Sequence, residues 1–144
     1  MNTFLAVFAL ALACVYAQQQ QPTPEQQAQQ ELILKYRDTC IQETGVNPEL
    51  IVKADNGEFT DNDEKLQCFT KCFYQKAGFI NEKGDILLDV IEAKIPEGAD
   101  KQKALAVIEL CKKHVGSNPC ENAYLVHKCY FLETRKAAAA AGQQ

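Results

Sequence analysis

The sequence predicts an all-α fold: six helices held together by disulfide crosslinks. Three observations predict it. Apolar residues recur at helical spacing along the chain, and no segment shows the period-two alternation of a strand. Helix starts are marked by capping residues beside proline or acids, and helix ends by glycine. Six cysteines remain once an export-like leader is set aside, an even number in a short chain.

Residues 1–17 are expected to be a signal peptide. Phe4 to Ala13 is an unbroken apolar run of about ten residues, the length of a signal's hydrophobic region and too short to span a bilayer. Val15-Tyr16-Ala17 offers a cleavage site, although no Lys or Arg precedes the apolar run. Cys14 leaves with this segment. Residues 18–144 are then one secreted, extracellular domain. Its Gln-rich start (18–23) and Ala-rich tail (137–144) are expected to fray.

The first helix opens at Thr23-Pro24-Glu25-Gln26, with a capping hydroxyl, a proline at the first helical position and a Gln at the third. Leu32, Ile33, Tyr36 and Cys40 follow at helical spacing, and Gly45 stops it. Asn47-Pro48-Glu49 opens a short second helix that ends by Asn56-Gly57. A third starts within Thr60–Glu64, carries Leu66, Phe69, Thr70, Phe73 and Ala77 as its stripe, and closes at Gly78. After a turn at residues 81–84, Asp85 is expected to cap a fourth helix from Ile86 to Lys94, which Pro96 breaks. The fifth is expected from Asp100 to Val115. Asn118-Pro119-Cys120-Glu121 opens the sixth, whose apolar residues cover nearly its whole circumference and predict burial.

Charge and motifs exclude function classes. There are 19 acidic and 15 basic residues, for a net charge of −4, so the basic face a nucleic-acid partner needs is not expected. His114 and His127 are the two histidines, and neither stands in a catalytic context such as His-Glu-x-x-His or Cys-Cys-x-x-His. No catalytic residue, cofactor or metal site is expected, and the chain is not read as an enzyme.

The six cysteines after the leader are Cys40, Cys68, Cys72, Cys111, Cys120 and Cys129. Cys68 and Cys72 are one helical turn apart, with Cβ atoms about 5–6 Å apart where a disulfide needs roughly 3.8 Å. Cys120 and Cys129 lie about 13 Å apart along one helix. Excluding both pairs leaves ten of fifteen connectivities open. The spacing Cys-x27-Cys-x3-Cys-x38-Cys-x8-Cys-x8-Cys resembles that of insect odorant-binding proteins, the six-cysteine group of the pheromone-binding and general odorant-binding family. Cys68-Phe-Thr-Lys71-Cys72, Ala77-Gly78 and Lys83-Gly84 add to the resemblance, which covers residues 24–136. It implies the pairs Cys40–Cys72, Cys68–Cys120 and Cys111–Cys129, and an apolar cavity enclosed by the helices. The stripes themselves are equally compatible with a filled core.

The implied function is a carrier that reversibly binds and solubilises small hydrophobic ligands (odorants, pheromone-like compounds or fatty acids) for transport through an aqueous lymph. A chemoreceptor would be a further partner, and the carrier a monomer or weak homodimer. The alternative is a secreted structural or defence protein with a solid core. The expected lining lies where stripes converge: Leu66, Phe69, Thr70 and Phe73 on the third helix, Val90 and Ile91 on the fourth, Ile108 on the fifth. On the sixth it is Ala123, His127, Tyr130 and Phe131. Thr70, His127 and the tyrosine hydroxyls are the polar handles, and Lys35, Arg37 and Lys128 the cations for a carboxylate at the mouth. Thr70 can instead bond its own helix. His127 is expected to stay neutral when buried and to charge only in acid.

Overall fold

The computed structural model describes residues 22–142, which hold six α-helices. The expected signal peptide and the glutamines up to Gln21 lie outside the described residues. The helices are α1 (Pro24–Thr44), α2 (Pro48–Asp55), α3 (Glu64–Lys76), α4 (Leu88–Lys94), α5 (Lys101–Cys111) and α6 (Pro119–Ala141). The chain divides into two units, up to Leu34 and from Lys35 onward.

The described part of the first unit is the opening of α1. Thr23 Oγ1 accepts from the amide of Gln26, and Gln26 Oε1 accepts from the amide of Thr23. This is the reciprocal cap that satisfies two otherwise orphaned donors. Leu32, Ile33 and Leu34 are exposed.

In the second unit, four more helices start where local chemistry dictates. The side chains of Asn47, Asp63, Asp100 and Asn118 accept amide hydrogens of α2, α3, α5 and α6. The core is Cys40, Val46, Ile51, Leu66, Phe69 and Tyr124, with Phe59, Phe73 and Leu125 packed on it. Helix α3 lies along α6, and α5 also packs on α6. Among the described residues the only strand-like feature is an isolated bridge between Ile80 and Ile86.

Two helix ends differ from the sequence expectation. Asp85 does not cap α4, which starts at Leu88 with no side-chain cap. The side-chain Oδ1 of Asn81 accepts from the backbone amides of Lys83 and Asp85, and its Nδ2 donates to the Asp85 carboxylate. Asp85 is thus taken up by a tight turn, and Leu87 donates back to the carbonyl of Phe79. Gly84 makes that turn possible. Its φ is +84°, and a Cβ there would meet the Pro119 carbonyl oxygen at 3.1 Å. Helix α5 ends at Cys111 rather than Val115. Lys112, Lys113 and His114 bring nothing apolar to bury, and Val115 is exposed. The alanines at the far end continue α6 to Ala141. That helix is less buried than its composition predicts: Ala123 and Tyr124 are buried, while most of its other apolar residues are half-buried.

Three disulfides crosslink these elements. Cys40–Cys72 joins α1 to α3, Cys68–Cys120 joins α3 to α6, and Cys111–Cys129 joins α5 to α6, with Cα separations of 5.7, 4.5 and 5.5 Å. They close loops of 32, 52 and 18 residues. Each restricts the unfolded chain by about 3–4 kcal/mol on the loop-entropy argument. With that support, tight filling of every space between the helices is not required.

Candidate functional site

A half-open cavity of 330 Å³ lies between α3, α4, α5 and α6. Ile108 of α5 and Ala123 of α6 are buried parts of its wall, with Ile80 of the turn. Val126, His127 and Tyr130 extend the α6 side. Tyr74 enters from α3, Ile91 and Lys94 from α4, and Phe79, Ile86 and Ile95 from the connecting segments. Lys94 and Pro96 are exposed and mark the mouth. The volume is at the low end of the roughly 300–1,000 Å³ of small-molecule sites, and most of the wall is hydrocarbon. A cavity of this size between α3 and α6 disfavours the solid-core alternative.

A smaller cavity of 90 Å³ lies on the core side of the same two helices. Leu66, Phe69, Thr70 and Phe73 line it, together with Ile51, Ala54 and Tyr124. Tyr74 and His127 line both cavities.

The expected lining is therefore split. Ile91, Ile108, Ala123, His127 and Tyr130 meet at the large cavity. Leu66, Phe69, Thr70 and Phe73 do not reach it. They sit at the centre of the α3 stripe, which is the part that packs the core. The Thr70 hydroxyl donates to the Leu66 carbonyl at 3.0 Å, one helical turn back, and is spent there. Val90 and Phe131 line neither cavity. Phe131 packs edge-on against Phe59, with ring centroids 5.5 Å apart, over the space left by Gly57. Tyr74, Phe79, Ile80, Ile86 and Val126 were missed. Tyr74 is next to the stripe rather than on it. Phe79, Ile80 and Ile86 flank the turn at Asn81–Gly84, and an apolar pair on each side of a turn was the signal available.

The expected cations are engaged elsewhere. Arg37 lines the small cavity but pairs with Asp55 at 2.9 Å. Lys128 donates to both oxygens of Asp61, at 2.6 and 2.7 Å. Lys35 lines neither cavity. The cation at the large cavity is Lys94, which donates to the Ala77 carbonyl and lies 4.9 Å from the Phe79 ring centroid. No carboxylate lines that cavity.

The polar centre of the site is the contact of the Tyr74 hydroxyl with His127 Nδ1, at 2.6 Å. Burial pushes the Tyr74 phenol up, so its proton stays on. Burial also holds the His127 imidazole below its ordinary value, opposed by the charge of Asp55. Cys40, Glu43 and Cys72 approach within 4.8 Å of one another, but both sulfurs are bonded in a disulfide and cannot act as thiolate ligands.

Helices crosslinked around a half-open apolar cavity with one polar pair in its wall define a helical binding protein for small hydrophobic molecules. The family model described as PBP/GOBP family matches residues 22–133. General odorant-binding protein 99a of Drosophila melanogaster is 33% identical over 105 residues, covering 70% of this chain and 73% of that one. The crystal structure of the medfly odorant binding protein CcapOBP22/CcapOBP69a is 29% identical with a TM-score of 0.56, covering 68% of this chain and 84% of that one. The fatty acid binding protein OBP56a from the oral disk of the blowfly Phormia regina shares the fold, with a TM-score of 0.63 at 22% identity, over 81% and 97% of the two chains. The chain belongs to the PBP/GOBP family. That family consists of odorant-binding carrier proteins rather than enzymes, and this chain binds small ligands as a carrier.

Proposed function

We propose that the protein is exported and takes up medium-length apolar molecules bearing one acidic or polar end. The observation that carries this reading is the 330 Å³ cavity, with hydrocarbon walls and a single cation at its mouth. The apolar tail lies against Ile91, Ile108 and Ala123, and the head group faces Lys94. Binding is reversible burial without covalent chemistry. At roughly 30 Å³ per heavy atom, the liquid volume of a water, the cavity holds about eleven. A relative sharing the fold is a fatty acid binding protein, which supports an acidic head group. Export is supported by the signal-like start of the sequence, and the family's role supports delivery to a chemoreceptor by a monomer or weak homodimer. Among the described residues no helix is long and apolar enough to cross a membrane.

The test is displacement of an environment-sensitive apolar dye by straight-chain acids of increasing length. Affinity should climb by up to about 0.8 kcal/mol per methylene until the cavity is full. A dye signal that neither saturates nor yields to competitor would sink the carrier reading.

A further inference from the structure

The two cavities share two lining residues, and those two are hydrogen-bonded to each other. Tyr74 projects from α3 and His127 from α6, so the pair spans the gap between the helices. A residue that lines two cavities is part of the wall between them. Behind that wall is a further 90 Å³, lined by Ile51, Ala54, Leu66, Phe69 and Phe73 together with Thr70, Tyr124 and the Arg37–Asp55 ion pair. We propose that the Tyr74–His127 pair sets the length of ligand tail the protein accepts, and that the small cavity behind it is an unused tail subsite. This rests on the carrier reading above and deepens it.

The pair is suited to the task. The bond fixes both rings: turning either one alone leaves a polar group facing hydrocarbon, which costs about 1–3 kcal/mol. A terminal methyl group gains less than that from one further methylene, about 0.8 kcal/mol. A tail that reaches the pair therefore stops there instead of pushing through. With the imidazole removed, 90 Å³ becomes continuous with the large cavity, room for about three more carbons at roughly 30 Å³ each.

The experiment measures the affinities of saturated straight-chain acids from eight to eighteen carbons, by displacement of an apolar dye, for the wild type and three variants. In the wild type the gain of up to about fourfold per methylene should cease at a definite length. His127→Ala should move that limit about three carbons longer. His127→Phe keeps a ring across the gap and should retain the wild-type limit. Adding Thr70→Leu to His127→Ala refills the small cavity and should return the limit toward the wild type. Tyr74→Leu opens the same wall from α3 and replaces His127→Ala if that variant does not fold. An unchanged limit in the opened variant overturns the proposal while leaving the carrier reading intact. A wild type that binds no member of the series overturns both.

Discussion

The Tyr74 hydroxyl and Nδ1 of His127 share a hydrogen bond of 2.6 Å across the gap between α3 and α6. The phenol is held protonated by burial, and the imidazole is held neutral by burial. A protonated imidazole would carry hydrogen on both nitrogens, and Nδ1 could then only donate. The phenol oxygen would then have to accept. One proton thus fixes the polarity of the bond that joins α3 to α6 at the cavity wall.

Ligand binding and stability should both weaken between pH 7 and pH 5. The folded-state pKa of His127 lies below its unfolded value near ~6.5. In that case the unfolded chain takes up the proton first. The stabilising contribution is present above the unfolded pKa and is lost as pH falls toward the folded one. Asp55 opposes the shift, and Tyr74, Lys94 and Tyr130 are the other titratable groups at the same cavity. His127→Gln should be less sensitive to pH over this interval. Dye-displacement titrations at both pH values check this, and an equal pH dependence in both proteins would take His127 out of the effect.

Lys94 should discriminate between head groups. It is exposed, so pairing with a carboxylate is worth at most about 0.5–1 kcal/mol, or about two- to fivefold. The wild type should prefer a nine-carbon acid over the alcohol of equal length by that factor, and Lys94→Met should bring the two affinities together. The preference should shrink at high salt. Equal binding of acid and alcohol by the wild type would show that the cation plays no part.

The loop before α3 is held to α6 by Asp61, which accepts from the Tyr124 hydroxyl at 3.1 Å and from Lys128. Tyr124 is among the most deeply buried side chains, so Tyr124→Phe should cost about 1 kcal/mol in urea unfolding. Asp61 is about half exposed, and its ion pair should add no more than that. The hydrogen bond from Lys128 is the main cause holding the Asp61 carboxyl below its usual value, and Tyr124 helps. The contribution is therefore complete above the unfolded carboxyl pKa near ~3.9 and is lost as pH falls through the lower folded value. Asp61→Asn should be flatter in stability below about pH 4. An unchanged acid limb would remove Asp61 from the balance.

Helix starts were legible because capping is settled within four residues. Thr23, Asn47, Asp63, Asp100 and Asn118 all behave as their local sequence states. Asp85 failed for an equally local reason, since Asn81 competes for it. The cavity was only half legible, because periodicity finds the centre of a stripe. The centre of the α3 stripe, Leu66 and Phe69, belongs to the core. Space is left at the stripe's edge, where Tyr74 stands, and edges depend on how helices are offset. The cation at the mouth was hidden similarly: Arg37 and Lys128 have carboxylate partners remote in sequence, which no spacing reveals.

The disulfides are unevenly distributed around the cavity. Helices α3 and α6 each carry two bridged cysteines, whereas residues 73–110 carry none. Yet that uncrosslinked stretch supplies Phe79, Ile80, Ile86, Ile91, Lys94 and Ile95 to the wall. The site is thus built of a stapled half and an unstapled half. Substitutions in the unstapled half change the shape of the cavity without touching the crosslinks. Ligand choice and foldability are thereby carried by different parts of the chain, and a lineage of such proteins can diversify in what it carries while its frame stays constant.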